Sequence, residues 1–356
     1  MTAISKPRLL TGDTPTGRLH LGHWVGSIEN RLALQDQYDC YFIIANVHAF
    51  TTRADYPEDI HQSVIDIATD YLAAGIDPHR SAMFLQSEIP TIAELTFFFS
   101  MLISYPRLMR NPTIKDEIRD KGLGDNYSFG FLLYPVGQVA DILAFRPDIV
   151  PVGEDQVPHI EMTREVARRF NQLYCGVDPH TADKDYLAKG GLFPIVDVKL
   201  GRSRRLVGLG APNAEGNLLK MSKSLNNAIL LSDDPDTISR KVMGMYTDPN
   251  RLKATDPGAT DNNPLWIFHE IFNPDQAWVN EAEERYRQGR IGDVDAKKKL
   301  IDVLVALIEP IRQRRLVYEK DPAQVLAILK AGTDKANAVA EQTLKLAKEA
   351  MKQQYF

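Results

Sequence analysis

The chain has 356 residues, of which 44% are hydrophobic and 25% charged, a composition that excludes a largely disordered chain and predicts two domains, or one large domain with a helical appendage. No apolar run approaches the roughly 20 residues of a membrane helix, and no signal peptide is visible at the start, so we expect a cytoplasmic protein without a membrane partner. The formal net charge of -5 argues against bulk binding to nucleic acid, so DNA is not an expected partner and any RNA would meet local basic patches.

In the first half, short apolar runs alternate with segments whose apolar residues recur every three or four positions. Residues 8–11, 40–47 and 82–86 are typical of strands, and residues 19–34 and 57–74 are typical of helices. This alternation predicts an α/β fold with a doubly wound, Rossmann-like parallel sheet. Ligands of such a sheet bind beyond the carboxyl ends of its strands.

The sequence changes character near residue 233, where an apolar run ends in Asp-Asp-Pro and a charged, helical stretch begins. We therefore predict a Rossmann-type domain over residues 1–232 and a helical domain over residues 233–356. Residues 247–263, rich in Asp, Pro, Thr and Asn, are expected to form a loop. A last helix, near residues 333–353, is expected to pack back on the body.

A glycine-containing segment, residues 11–23 (TGDTPTGRLHLGH), joins the first predicted strand to the first predicted helix. Glycine lets the backbone approach a ligand closely, and the free amides of a helix start favour an anion, so this segment predicts a phosphate site. His20 and His23 share one face of the first helical turn, with Gly22 between them. Taken alone, two histidines at this spacing are more often incidental.

The segment 220–224 (KMSKS) places two lysines three positions apart on a loop that is rich in glycine before it. A charged loop is usually only solvated, but this five-residue match follows His-Leu-Gly-His in the correct order. The two motifs together resemble the signatures of class I aminoacyl-tRNA synthetases. The resemblance implies that His20 and His23 contact the phosphates of ATP. It also implies that Lys220 and Lys223 neutralise the pyrophosphate as an amino-acid carboxylate attacks the α-phosphorus.

The same resemblance implies a larger ATP site and a magnesium ion that bridges the phosphates. The ATP site would contain Thr14, Pro15, Thr16, Gly22, His23, Gly153, Glu154, Asp155, Leu206, Lys220, Met221, Ser222, Lys223 and Ser224. No side chains have the spacing of a metal site, so no protein ligand is predicted for Mg²⁺, which nucleotide and water would hold. An ordinary core leucine is nearly as good an interpretation of Leu206.

A third pattern lies in an apolar helix that is predicted to begin near Tyr134, with Pro135 in its first turn. Tyr134, Gln138 and Asp141 form one polar stripe along this helix. The stripe could face solvent. Alternatively, Asp141 could be buried, in which case it would need a donor such as an indole N–H or a phenol. The residues alone leave both alternatives open.

The segments 134–143 (YPVGQVADIL), 150–156 (VPVGEDQ) and 163–171 (TREVARRFN) are similar to the tryptophanyl-tRNA synthetase family. The similarity implies a homodimeric enzyme that activates L-tryptophan with ATP and charges tRNA(Trp), with Asp141 accepting the indole N–H. The implied tryptophan site contains Leu10, Gly12, His48, Tyr134, Gln138, Asp141 and Gln156. The alternatives are a tyrosine–tRNA ligase and a paralogue that binds tryptophan or tRNA without charging it.

Two departures from the family pattern concern the indole pocket. Gln138 stands where a methionine is common and Leu10 where a phenylalanine is common. Replacing a thioether and an aromatic ring with an amide and a leucine should lower the affinity for tryptophan or broaden the tolerance for ring-substituted tryptophans.

Two surfaces are candidates for partners. Residues 91–109 carry Phe97, Met101 and Ile103 on a second apolar face. A buried helix in a monomer would explain this face equally well, and only the family resemblance favours a homodimer interface. The basic residues of the C-terminal half are residues 297–299, Arg312, Arg314 and Arg315. Such charges usually form only a solvated face, but the resemblance implies that they contact tRNA phosphates.

Overall fold

The structure is a computed structural model that describes residues 6–120, 122–124, 126–153, 156–200, 206–249, 251, 253 and 255–356. Within these residues the strands are β1 (Arg8–Asp13), β2 (Asp39–Ile44), β3 (Ser81–Leu85), β4 (Ile149–Val152) and β5 (Asp197–Leu200). They form one sheet in the order β3-β2-β1-β4-β5, and every neighbouring pair is parallel. The prediction of an α/β fold with a parallel sheet is confirmed.

The helices of the described residues lie between and after these strands. They are α1 (Leu21–His23), α2 (Glu29–Leu34), α3 (Asn46–Arg53), α4 (Pro57–Ala74), α5 (Pro90–Ser100), α6 (Tyr105–Met109), α7 (Pro112–Asp120), α8 (Phe129–Leu143), α9 (Val157–Cys175), α10 (Pro235–Met243), α11 (Pro264–Phe272), α12 (Gln276–Arg287), α13 (Asp293–Glu319) and α14 (Pro322–Ala350). A π-helical segment, Trp24–Ile28, joins α1 to α2. No described helix is both long and apolar enough to cross a membrane.

Both faces of the sheet are buried. Leu9 and Phe42 belong to one apolar core, whereas their chain neighbours Leu10, Tyr41 and Ile43 belong to another. Successive residues of a strand point to opposite faces, so these two cores lie on opposite sides of the sheet. Burial on both faces is the usual condition of a parallel sheet, and it leaves the strand ends as the accessible edge.

Helix α4 has the predicted bounds. Pro57 occupies its first turn, where a missing N–H is harmless, and Gly75 ends it in the left-handed conformation at φ 114. The strand predicted over residues 40–47 is wrong at its end, because β2 stops at Ile44 and α3 begins at Asn46. Apolar residues continue across that boundary, so the run of hydrophobic side chains did not mark it.

Three predicted helix starts are also wrong. The first helix begins at Leu21, not at residue 19. Helix α8 begins at Phe129, because the Ser128 side chain accepts the N–H of Phe131 and caps it, so Pro135 lies inside the helix. The last helix begins at Pro322, well before residue 333.

The chain after residue 233 is helical in its described regular elements, and it packs on the sheet-containing part. Helix α13 packs against α4, and α14 crosses β3. At Gly332 of α14, an added Cβ would lie 2.0 Å from the carbonyl oxygen of Met83, so helix and strand backbones are in direct contact. The described residues between 247 and 263 form turns and irregular loop.

Candidate functional site

A cavity of about 610 Å³ opens at the carboxyl ends of β1 and β4. Here the strand order reverses, because β2 lies on one side of β1 and β4 lies on the other. Connections leave such a point in opposite directions, and the gap between them is where α/β sheets bind ligands. A second cavity, of about 680 Å³, is lined by Arg8, Asp39 and Arg146, and no predicted site residue lines it.

Most of the predicted site residues line the first cavity. They are Leu10, Gly12, Thr14, Thr16, Gly22, His23, His48, Tyr134, Gln138, Asp141, Gly153, Gln156, Leu206, Lys220 and Met221. The predicted residues that do not line it are Pro15, His20, Ser222, Lys223 and Ser224. Glu154 and Asp155 lie outside the described residues. Three separate sequence patterns therefore meet in one cavity.

The rings of the two histidines of the first pattern are in contact, with centroids 3.9 Å apart and planes inclined by 46°. His20 Nδ1 accepts the N–H of Gly22 at 3.1 Å, and His23 Nδ1 accepts the N–H of His20 at 3.1 Å. A Cβ on Gly22 would lie 2.8 Å from the His20 ring, so this packing needs glycine. Since both Nδ1 atoms accept, each neutral ring carries its proton on Nε2.

Both histidines are neutral at pH 7. Burial, helped by the electrostatic effect of the neighbouring His23, Lys223 and Lys220, lowers the pKa of His20 to about 3. Burial likewise lowers the pKa of His23 to about 4, although Asp13 opposes that shift. Their Nε2–H groups can therefore donate hydrogen bonds to an anion, but they add no positive charge.

The lysine loop supplies the positive charge. Lys220 lines the cavity, whereas Lys223 Nζ donates to the carbonyl oxygens of Thr16 at 2.7 Å and Arg18 at 2.8 Å. Asn227 fastens the loop, because its Oδ1 accepts the N–H of Ser222 at 2.7 Å. Lys220 thus lines the cavity, while the ammonium group of Lys223 binds the glycine-containing segment.

Asp141 is only 4% exposed, so the polar stripe of α8 faces the cavity and not bulk solvent. Burial raises the pKa of Asp141 to about 7, and hydrogen bonds from Gln86 oppose that rise. His48 Nδ1 lies 3.6 Å from the Asp141 carboxylate, in space that Gly137 leaves open. Burial lowers the pKa of His48 to about 4, so this contact joins a neutral ring to the carboxylate.

Gln86 is a site residue that the sequence analysis missed. Its Nε2 donates to both oxygens of Asp141, at 2.8 and 2.9 Å. Its Oε1 accepts the N–H groups of Val47 at 3.1 Å and His48 at 3.2 Å, which fixes the orientation of the amide. A signal was available, since Gln86 is the first polar residue after the buried strand β3.

Two acidic residues were missed as well. Glu117 of α7 lines the cavity and accepts the Tyr134 hydroxyl at 3.2 Å. Asp13, at the end of β1, accepts the Tyr71 hydroxyl at 2.5 Å and Arg31 Nη2 at 2.9 Å. Although burial opposes it, these partners and His23 hold the pKa of Asp13 below its ordinary value. No sequence motif links Glu117 or Asp13 to these partners, because the partners lie on helices that are distant from them in the chain.

Two basic residues predicted to contact tRNA are buried, so the prediction is wrong for them. Lys297 Nζ donates to the carbonyl oxygens of Met243 at 3.1 Å and Met245 at 2.6 Å. Arg315 is 2% exposed and binds carboxylates of α4. Neither side chain can reach a phosphate, whereas Lys298 and Arg314 are exposed.

A family model described as "tRNA synthetases class I (W and Y)" matches residues 3–309. The chain is 46% identical over 358 residues to the tryptophan–tRNA ligase of Streptococcus agalactiae serotype V, across 99% of this chain and 100% of that protein. It is 46% identical over 360 residues to the tryptophan–tRNA ligase of Streptococcus mutans serotype c, with 99% and 100% covered. Among solved structures, it is similar to tryptophanyl-tRNA synthetase from Campylobacter jejuni complexed with ADP and tryptophan, with a TM-score of 0.80 and 29% identity over 97% of this chain and 99% of that chain.

Proposed function

The chain belongs to the family of class I tRNA synthetases for tryptophan and tyrosine, and from that premise we propose which residues perform its reaction. It is a tryptophan–tRNA ligase, which forms tryptophanyl-adenylate and pyrophosphate from L-tryptophan and ATP and then charges the 3′-terminal adenosine of tRNA(Trp). Tyrosine as substrate is not favoured, because relatives matched over their full length are named tryptophan–tRNA ligases. A non-charging role is not favoured for the same reason.

The observation that carries this assignment is the single cavity that holds His23 and Lys220 together with Asp141. Activation needs the amino-acid carboxylate and the α-phosphate of ATP in contact, so both substrates must share one site. We place the indole ring against Asp141, whose buried carboxylate gains a donor from the indole N–H. Leu10 and Gln138 would line the ring, and His48 would pack beside it.

The ammonium group of tryptophan needs acceptors farther along the same cavity. Tyr134, Gln156 and Glu117 all line it there, and Glu117 brings a negative charge. We assign the ammonium group to these three side chains, with the Tyr134 hydroxyl held in place by Glu117 at 3.2 Å. This arrangement would point the substrate carboxylate toward the glycine-containing segment.

ATP is assigned to the other end of the cavity. The hydroxyls of Thr14 and Thr16 and the Nε2–H groups of His20 and His23 would bind phosphate oxygens, and Pro15 and Gly22 would shape the segment. The remaining predicted ATP contacts, which we keep as proposals, are Gly153, Glu154, Asp155, Leu206, Met221, Ser222 and Ser224. Gly12 stays a proposed contact of tryptophan. His20 does not line the cavity, so its side chain would have to turn toward the phosphates while the backbone of the segment stays in place.

The lysines act on the leaving group. As the carboxylate oxygen attacks the α-phosphorus, the bond to the bridging oxygen breaks and negative charge accumulates on pyrophosphate. Lys220 already faces the cavity, and Lys223 would turn from the carbonyls of Thr16 and Arg18 to the phosphates. Fixed positive charge at the place where negative charge develops is the main catalytic contribution expected here.

We propose that Mg²⁺ enters with ATP. Among the described residues, no three His, Cys, Asp or Glu side chains are grouped so that they could hold a metal ion. The chain therefore offers no built metal site in that part, and the ion would keep phosphate and water ligands. When bound, it would neutralise phosphate charge.

We further propose the assembly and its setting. Residues 233–356 would bind the anticodon arm through exposed basic side chains such as that of Lys298, while residues 1–232 would carry out catalysis. A second copy of the chain would cover Phe97 of α5 and Met101, the residue that follows α5, which are 66% and 63% exposed. The enzyme would work in the cytoplasm, where its tRNA is used.

Charging of tRNA tests this function. Unfractionated tRNA is incubated with the purified protein, ATP, Mg²⁺ and labelled tryptophan or labelled tyrosine. We expect label from tryptophan alone to become acid-precipitable and ribonuclease-sensitive. Transfer of tyrosine would reverse the substrate assignment, and transfer of neither would refute the assignment as a ligase.

A further inference from the structure

A buried ion cluster links the C-terminal helices to the segment that binds phosphate. Asp70 of α4 is 0% exposed, and one of its carboxylate oxygens accepts the backbone N–H of Leu19 at 2.6 Å. Its other oxygen accepts the guanidinium group of Arg315 from α13. The carboxylate therefore joins a C-terminal helix to the residue that precedes His20.

Arg315 is held from several sides. Its Nη2 donates to Asp66 at 2.8 Å, and its Nε donates to Glu319 at 2.9 Å. The same two carboxylates lie 3.6 Å and 3.4 Å from the guanidinium group of Arg18. Arg18 and Leu19 are neighbours in the chain, so two consecutive residues of the segment depend on α4 and α13.

The residues held in this way carry groups that the reaction uses. The carbonyl oxygen of Arg18 is one of the two acceptors of Lys223, at 2.8 Å. His20 follows Leu19 directly, and its N–H orients the His23 ring at 3.1 Å. A shift of Leu19 would thus move both histidines and the resting contact of the second lysine.

We propose that Asp70 is a positioning residue for the activation step, and that Arg315 clamps it so that the C-terminal helices hold the phosphate-binding segment in its working geometry. The proposal rests on the function assigned above, because it gives this cluster a role in that reaction. Neither Asp70 nor Arg315 lines the cavity. Removing one partner of a buried ion pair leaves the other charge uncompensated, so the cluster would rearrange and release Leu19.

Three variants and one matched control test the proposal. Arg315→Gln removes the clamping charge, Arg315→Lys keeps it, and Asp70→Asn keeps the shape of the carboxylate without its charge. The control is Arg251→Gln, which also removes a buried arginine from the C-terminal part. Arg251 Nη1 donates to Asp293 at 3.0 Å, and neither residue contacts the phosphate-binding segment in any described interaction.

The first readout is amino-acid-dependent exchange of pyrophosphate into ATP, which gives kcat and the KM for each substrate. The midpoint temperature of thermal unfolding is measured for each variant as well. We expect kcat to fall about tenfold or more in Arg315→Gln and Asp70→Asn, with KM for tryptophan within about twofold. Arg315→Lys should recover most of kcat, and Arg251→Gln should keep kcat even where its midpoint falls. Wild-type kcat in Arg315→Gln, or an equal loss in Arg251→Gln, would overturn the proposal.

The second readout does not depend on activity. Hydrogen exchange at the Leu19 amide should be slow in the wild type and in Arg251→Gln, and clearly faster in Arg315→Gln and Asp70→Asn. Unchanged protection in both would overturn the proposal. If the wild-type protein catalyses no pyrophosphate exchange, the assigned function is refuted instead. Hydrogen exchange at the Leu19 amide would still show whether Asp70 and Arg315 hold Leu19 in place. If Arg315→Gln does not fold, Asp70→Asn supplies the same comparison with the wild type and with Arg251→Gln.

Discussion

Replacing Asp141 with asparagine should remove the preference of this enzyme for an indole N–H. The substitution keeps the size of the side chain but turns one acceptor into a donor. Gln86 Nε2 already donates to both oxygens of Asp141, at 2.8 and 2.9 Å, so one of these bonds would become a clash of two donors. Gln86 cannot relieve the clash by turning its amide over, since its Oε1 accepts from Val47 and His48.

The expected magnitude follows from the chemistry of the lost bond. A hydrogen bond to a charged group contributes about 1.5–3 kcal/mol, which corresponds to roughly 10- to 150-fold in kcat/KM. The useful comparison is between tryptophan and its benzothiophene analogue, which has sulfur in place of the N–H. The wild type should prefer tryptophan by about that factor, and Asp141→Asn should prefer it far less, as kcat/KM for tryptophan falls.

The assay is pyrophosphate exchange with each amino acid, and Asp148→Asn is the control. Asp148 is an exposed carboxylate at the opposite, amino-terminal edge of the sheet, where it accepts the N–H of Arg8 at 2.6 Å. That variant should keep the wild-type ratio between the two amino acids. An unchanged ratio in Asp141→Asn would refute the placement of the indole ring.

Three further predictions concern the site and its surroundings. Because the pKa of Asp141 is raised to about 7 and tryptophan needs the carboxylate form, kcat/KM for tryptophan should decrease as the pH falls through that value. In a pH–rate profile, Gln86→Leu should shift this decrease to higher pH, because the hydrogen bonds from Gln86 lower the pKa of Asp141. Lys223→Ala should lower kcat of pyrophosphate exchange while leaving KM for tryptophan nearly unchanged, and a matching rise in that KM would contradict its assignment to the leaving group. Phe97→Asp should convert a dimer to a monomer in sedimentation velocity, whereas the exposed control Leu173→Asp on α9 should not, and a wild-type monomer would contradict the interface.

Where the predicted site residues are adjacent in the chain, the sequence patterns selected side chains that line one cavity. The segments around His23, Lys220 and Asp141 each carry a local pattern, and the parallel sheet brings their ends to one edge. Helix α4 was predicted with its bounds because Pro57 and Gly75 mark them in the sequence. In these cases, one short stretch contained all the necessary information.

The sequence failed where the deciding partner is distant. Arg315 and Lys297 were predicted as exposed tRNA contacts, yet each is buried, because the carboxylates and carbonyls that satisfy them come from other elements. Gln86 and Glu117 were missed for the same reason, since each becomes a site residue only when another helix lies against it. Whether a charged or polar side chain is buried and paired depends on partners that are distant in the chain, and a single sequence does not reveal which residues those are.

The most direct test of the central claim is pyrophosphate exchange without tRNA, run with tryptophan, tyrosine and phenylalanine side by side. The account predicts exchange with tryptophan and none above background with the other two, because only tryptophan gives Asp141 an indole N–H. Exchange driven by tyrosine, or no exchange with any of the three amino acids, would contradict it.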